Sequence, residues 1–228
     1  MKIAISQPTF FPWLGYFQLI DVVDVFVFLD DVQFDKRSWQ QRNRISVNGN
    51  FSWLTAPTKT RGLYTQKILD VRFIEDVNWR KKHLATINHN YSKSIYFREV
   101  MPVIQDIYNQ DTESLAEFNI FALKAVCSFL QIKSCFLRSS NMEIKAKKSE
   151  KILSICKNLD ATEYFAGASS RNYLDHTKFQ KHGIRLQYQK FRRPSQSNPE
   201  FNPSIIDYLF STSKKEIRDM LKIQEPTK

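Results

Sequence analysis

The chain is short of the residues that announce a metal centre, a disulfide scaffold or a membrane span. Its three cysteines, at 127, 135 and 156, form no Cys-x-x-Cys pair. Cys127 and Cys156 fall inside apolar helical patterns and read as small core residues. Of the four histidines, His83 and His89 are not spaced like a helical ligand pair, and no carboxylate stands between them as in hydrolytic zinc motifs, so no metal site is predicted. There is no run of eighteen apolar residues, and charges and turn residues interrupt the amino-terminal segment. Neither a transmembrane helix nor a signal peptide is therefore predicted, and a reducing cytoplasm is the expected compartment. Glycine is scarce, at five, and neither an internal repeat nor a clear interdomain linker is visible.

What the chain does have is aromatic residues and positive charge. Eighteen Phe and nine Tyr suggest aromatic pockets or an aromatic contact surface. A hydrophobic share of 42% with 25% charged residues describes a folded globular protein. The formal charge of +11 favours an anionic partner. No zinc-finger spacing or RNP-like strand accompanies it, so a phosphorylated or nucleotide-linked small molecule is expected rather than nucleic acid.

Residues 3–45 carry most of the pattern. Ile3-Ala4-Ile5 is β-prone, Pro8 stops it, and Pro12 suits a first helical turn before Leu14, Phe17, Leu19 and Ile20. Val22 to Leu29 reads as a strand buried on both faces, ended by Asp30 and Asp31. Strand, tight loop, helix, strand places polar residues at strand ends, where open α/β sheets bind ligands. Gln7, Asp30, Asp31, Gln33 and Arg37 become candidates on that ground. Arg42 and Arg44 alternate with Asn43 and Ile45, giving either a phosphate-binding pair or a solvated strand face.

Further along, Ile45–Val47 and Phe51–Leu54 flank the turn signal Asn48-Gly49 and predict a hairpin. Residues 68–73 read as a strand. Helices are expected from about 78, over 96–107, over 115–130 and over 145–158, with a strand at 135–138. His89, beside Asn88, Asn90 and Tyr91, is preferred to His83, both being read as polar helix surface. Residues 161–174 read as strand, small-residue loop and helix, with Gly167 free to adopt a strained backbone. Ser169 and Ser170 are then candidate caps, and Arg171 would help hold an anion at the helix start. A late strand spans 184–191, and Asp207 is a polar interruption of an apolar carboxy-terminal helix. The whole predicts an α/β class: a Rossmann-like, mostly parallel sheet flanked by helices with a largely helical region in mid-chain. Residues 1–228 are read as one domain, with 78–130 a candidate helical subdomain.

Several blocks resemble the WbqC-like protein family: Gln7 to Phe17, Asp24 to Phe34, Lys36-Arg37-Ser38-Trp39 with Arg42-Asn43-Arg44, Trp53 to Pro57, Tyr164-Phe165-Ala166-Gly167 before Tyr173-Leu174, and Ile205 to Phe210. Ser211-Thr212-Ser213 stands where the family often has Asn and Gly. The resemblance implies surface polysaccharide (O-antigen) biosynthesis, with attachment of an amino-acid or acyl group to an activated or nucleotide-linked amino sugar. A more distant likeness is to the nucleotidyltransferase superfamily, pantothenate synthetase especially. It rests on Pro8-Thr9 with Leu14-Gly15-Tyr16, on Val27 to Phe34, and on Ser169-Ser170-Arg171-Asn172; Trp13 and Tyr16 occupy the places of that family's loop histidines.

These readings set up three expectations. In the first, a transferase binds its substrate through Gln7, Tyr16, Gln33, Arg37, Arg42, Asn43, Arg44, Gly167, Ser169, Ser170, Arg171 and Asp207. Asp30, Asp31 or His89 would then take a proton from an attacking amine. The second is an ATP-dependent adenylating or condensing enzyme. The third is a non-enzymatic component that binds a sugar nucleotide, or a biosynthetic protein partner or acyl carrier. No resident cofactor is implied, ATP or a nucleotide-linked substrate being the candidates.

Overall fold

A computed structural model describes residues 1–47, 50–74, 78–191 and 202–222. The expected Asn48-Gly49 turn, the turn at Glu75-Asp76, most of the 195–202 loop and the last six residues lie outside these.

The centre is a five-stranded sheet in which every pairing is parallel. Its strands are β1 (Lys2–Ser6), β2 (Val25–Phe28), β5 (Cys135–Arg138), β6 (Glu163–Ala166) and β7 (Arg185–Tyr188), in the order β5-β2-β1-β6-β7. A separate antiparallel hairpin, β3 (Arg42–Val47) with β4 (Asn50–Thr55), pairs Arg44 with Trp53. The helices are α1 (Leu14–Asp21), α2 (Trp79–Tyr91), α3 (Phe97–Tyr108), α4 (Leu115–Phe129), α5 (Lys148–Asn158), α6 (His176–Lys181), α7 (Ile205–Ser211) and α8 (Lys214–Lys222).

Strand alternation explains the layers. Successive strand side chains point to opposite faces, so Ala4, Phe26, Phe28 and Phe165 enter one apolar core while Ile3, Ile5, Val25, Val27, Tyr164 and Ala166 enter another. The first core includes residues of α1, α2, α3, α4, α7 and α8, and the second residues of α5 and α6. A parallel sheet covered on both faces requires such uninterrupted apolar strands, and β2, Val-Phe-Val-Phe, is buried at every position. The mid-chain helices share the first core with the aromatic loop after β1: Phe10 stacks on Phe118 and Phe11 on Tyr108, both at 5.7 Å. Ser114 caps α4 by accepting from the Glu117 amide at 3.4 Å.

Three local expectations need correction. Residues 68–73 are not a strand: Ile68–Asp70 form a turn of 3-10 helix, and only single bridges follow, Thr58 to Phe73 and Arg72 to Ser114. The segment after β6 is another short 3-10 turn, Ala168–Asn172, without a side-chain cap; the helix that follows is capped by Asp175, whose carboxylate accepts from the Thr177 and Lys178 amides. Gly167 has an ordinary extended backbone, φ −60° and ψ 150°. Small polar residues there resolve into a tight turn because Ser170 bonds Tyr173, their hydroxyls lying 2.9 Å apart, instead of capping a helix.

Candidate functional site

In this sheet the chain moves from β1 outward through β2 and β5, then returns to the other side of β1 with β6. The direction of winding therefore reverses between β1 and β6, and ligands of open α/β sheets bind at the carboxyl ends of strands at such a reversal. A cavity of about 480 Å³ lies there. Its walls come from the end of β1 and its loop (Ser6, Gln7, Thr9, Pro12), α1 and its cap (Trp13, Tyr16), Trp39 and Asn43, and the loop after β6 (Gly167, Ser169, Ser170, Tyr173). Leu29, Ile152 and Asn202 also line it.

The β1–α1 loop has its shape because buried amides hold its carbonyls. Asn119, fully buried on α4, donates to the carbonyls of Pro8 at 3.2 Å and Gln40 at 2.7 Å. Gln40 in turn donates to Gln7 Oε1 at 2.8 Å. Asn43 donates to the carbonyls of Phe10 and Phe11, and the Ser204 hydroxyl donates to that of Phe11. Phe11 itself is in the left-handed region at φ 40°, a conformation costly for a large side chain and retained only where the surroundings over-determine it. Tyr16 donates its hydroxyl to the Gln7 carbonyl at 2.7 Å, and burial pushes the phenol far above its usual pKa, so it stays a proton donor. Gly15 is needed for contact rather than torsion: a Cβ there would lie 2.2 Å from the Trp13 ring, which covers it.

Side-chain amides, hydroxyls and aromatic rings alternate along the walls, and among the described residues no Asp, Glu, Lys or Arg lines the cavity. Gln7, Tyr16, Asn43, Gly167, Ser169 and Ser170 are brought together as the sequence suggested. The other candidates lie elsewhere. Asp30 is fully buried, accepting from Arg138 Nε at 2.7 Å, the Ser140 amide at 3.1 Å and hydroxyl at 2.9 Å, and the Ser139 hydroxyl at 3.3 Å. Asp31 accepts from Lys151 and the Ser139 hydroxyl, each at 2.5 Å. The two carboxylates thus join the end of β2 to the end of β5 and to α5. His89 is exposed on α2; His83, expected on that helix surface, is instead buried, with Nδ1 3.1 Å from the Tyr108 hydroxyl. Burial drives its pKa down to about 4, against a smaller opposite effect of the Thr55 main chain.

Gln33 and Arg37 are exposed, Gln33 donating to the Tyr64 carbonyl at 3.2 Å. Arg171 is exposed over the Tyr188 ring, 4.9 Å from its centroid. Asp207 is buried under the hairpin, where Oδ1 accepts from the Ser46 amide at 2.8 Å and the Tyr91 hydroxyl at 2.7 Å. Burial raises its pKa to about 6, although those bonds act the other way. Arg42 and Arg44 lie on the outer face of the hairpin, while Asn43 between them turns inward. Sequence reasoning missed Trp13, Trp39 and Tyr173 as cavity walls, though each stands inside a block quoted for the family resemblance.

The fold and cavity define a doubly wound α/β protein with a cavity at the switch of its parallel sheet. The chain belongs to the WbqC-like protein family, whose model matches residues 7–219. It is 36% identical over 216 residues, covering 92% of this chain and 93% of the relative, to a Mycobacterium tuberculosis protein named "Uncharacterized protein Rv1507c". No solved structure matches the chain significantly. Among the described residues no helix is long and apolar enough to cross a membrane, and no group of His, Cys, Asp and Glu is arranged to hold a metal ion.

Proposed function

We propose that this protein is a group-transfer enzyme of surface polysaccharide biosynthesis, acting on an activated amino sugar whose ring occupies the switch-point cavity. One observation carries the reading: the described walls combine side-chain amides and hydroxyls (Gln7, Asn43, Ser169) with aromatic faces (Trp13, Trp39, Tyr173). Such a lining can pair with ring hydroxyls and an N-acyl group while an aromatic face covers the carbon skeleton. Asp30 and Asp31 follow Leu29, itself a wall residue, and are the acids offered to take a proton from the attacking amine; His89, exposed on α2, is the alternative.

The test is a transfer assay with nucleotide-linked amino sugars and acyl or aminoacyl donors, followed by mass spectrometry. Product formation that falls in Asp30→Asn or Arg42→Gln protein of intact fold supports the reading, and unchanged turnover in both sinks it. The adenylating alternative is favoured by the placement of the β1–α1 loop at the switch point, where nucleotides also bind. Substrate-dependent release of pyrophosphate from ATP would decide for it.

A further inference from the structure

Beside the cavity stands a face built of arginine and exposed aromatic rings. Arg42, Arg44 and Ser46 on β3 are paired with Thr55, Trp53 and Phe51 on β4, and the alternation that buries Asn43 and Ile45 places these six on the outside of the hairpin. Phe51 and Trp53 are each 44% exposed and Trp39 is 50% exposed, unusual for large apolar side chains. The Arg42 guanidinium lies 4.1 Å from the Trp53 ring centroid, and that of Arg44 lies 5.5 Å from Trp53 and 5.8 Å from Trp39. Trp39 and Trp53 are 5.8 Å apart. Arg42 Nε is shielded from solvent without a hydrogen-bond acceptor among the described residues. Shielded guanidinium donors are costly to leave without an acceptor.

Trp39 joins the two regions, since it lines the cavity and also packs against Trp53 and Arg44. From this we infer that the outer face of the hairpin is the anion subsite of the same ligand: the phosphate or diphosphate attached to the sugar crosses Trp39 and is held by Arg42, with Arg44 beside it. The division follows from chemistry. The described walls of the cavity bring no cation to a dianion, whereas a guanidinium stacked on indole keeps its planar donor fork pre-oriented for phosphate oxygens. The inference rests on the sugar-cavity reading for the ligand's other end, and its substrate class is a sugar phosphate or a nucleoside diphosphate sugar.

Four probes separate the parts: N-acetylglucosamine, its 1-phosphate, UDP-N-acetylglucosamine and inorganic pyrophosphate, titrated calorimetrically against the full chain. The phosphorylated probes are expected to bind at least about tenfold more tightly than the neutral sugar, the gain of one well-placed charge-assisted contact. Arg42→Gln removes that gain and leaves the neutral sugar unchanged; Arg42→Lys restores the charge but only part of the gain, because the planar fork is lost. Trp39→Ala weakens both kinds of probe, and circular dichroism confirms that each variant is folded. Tighter binding of the nucleotide sugar than of the 1-phosphate identifies the diphosphate form as the ligand, and equal binding identifies the monophosphate. If pyrophosphate binds through Arg42 while the neutral sugar does not bind, the anion subsite stands and the cavity reading fails. Phosphorylated probes that bind no better than the neutral sugar, or equally well to Arg42→Gln, overturn the inference, as does the failure of every probe to bind.

Discussion

The side-chain amide of Asn43 donates to the Phe11 carbonyl at 2.6 Å, and Phe11 sits at φ 40°. One strand of the outer hairpin thereby fixes the least comfortable torsion of the loop that walls the cavity. Asn43 is almost fully buried, so no water replaces the bond when the side chain is shortened.

Asn43→Ala is expected to lose about 2 kcal/mol of stability, because the Phe10 carbonyl loses its donor in a dry site, the Phe11 carbonyl keeps only Ser204, and the Arg44 amide loses the Asn43 oxygen. Ser204→Ala removes one donor from the Phe11 carbonyl and should cost about 1 kcal/mol. Urea denaturation of both variants checks the order. An Asn43→Ala loss no larger than that of Ser204→Ala would mean that the loop holds its torsion through aromatic packing alone.

The Asp30 carboxylate, with Arg138, Ser139 and Ser140 around it, makes a contrasting prediction. Asp30→Ala leaves Arg138 with Glu117 as its remaining ion-pair partner and strands the amide and hydroxyl of Ser140, while Ser139 keeps Asp31 as its acceptor. Removing one partner from a buried pair costs about 3 kcal/mol or more, so this variant should show a clearly lowered urea midpoint. Asp30→Asn keeps an acceptor for the Ser140 amide and should lose less. Turnover in folded Asp30→Asn protein then separates a chemical role of the carboxylate from its work as a clamp.

Two buried groups give opposing pH dependences. The pKa of Asp207 is raised from 3.8 to about 6, so the folded state binds its proton more tightly than the unfolded chain, and this group adds stability as pH falls from about 6 towards 4. The pKa of His83 is lowered from 6.5 to about 4, so protonation favours the unfolded chain, and this group removes stability as pH falls across nearly the same window. Each shift of about two units is worth on the order of 3 kcal/mol when fully expressed. Their sum should leave the parent's stability nearly flat from pH 7 to 4 as far as these groups go. Asp207→Asn should unmask a loss of stability on acidification, and His83→Gln a gain. Melting temperatures at pH 7, 5.5 and 4 read the signs directly; both variants sloping the same way would refute the pairing.

The parallel sheet was legible because Val25 to Phe28 and Ile3 to Ile5 are apolar without alternation, the pattern of strands buried on both faces. The hairpin was legible because Ile45–Val47 and Phe51–Leu54 flank a turn dipeptide. The cavity was readable in part, through Gln7, Asn43 and the Gly167–Ser170 turn, since polar residues at the ends of apolar strands signal a site. The charged candidates were less legible. Asp30 and Asp31 follow a strand as ligand-binding acids would, but their partners Arg138 and Lys151 lie more than one hundred residues away, and nothing local in the sequence reveals such pairings. The same holds for His83, whose burial depends on Tyr108 of the next helix. Aromatic walls such as Trp13 and Tyr173 were hidden among the twenty-seven Phe and Tyr and four Trp residues, most of which read equally well as core.

Gly15 offers the sharpest probe of the cavity because its substitution acts on one wall. A Cβ at this position would meet ring atoms of Trp13 at 2.2, 2.5 and 2.6 Å, too close to coexist with the indole where it stands. The atoms met are the outer edge of a half-buried ring, which can swing, and the helical backbone of α1 accepts alanine at least as well as glycine. Gly15→Ala should therefore stay within about 1 kcal/mol of the parent in stability, with the helix preference offsetting part of the lost packing between Trp13 and Phe191, now 5.1 Å apart. Its ligand affinity should fall, because Trp13 either enters the cavity or leaves its wall incomplete. Indole fluorescence in Gly15→Ala and in a Gly15→Ala, Trp13→Phe double variant locates the movement. Restored affinity in the double variant would show that displaced Trp13 blocks the ligand, and affinity lost in both would show that Trp13 is a contact the ligand needs. Parental affinity in Gly15→Ala would remove Trp13 from the site.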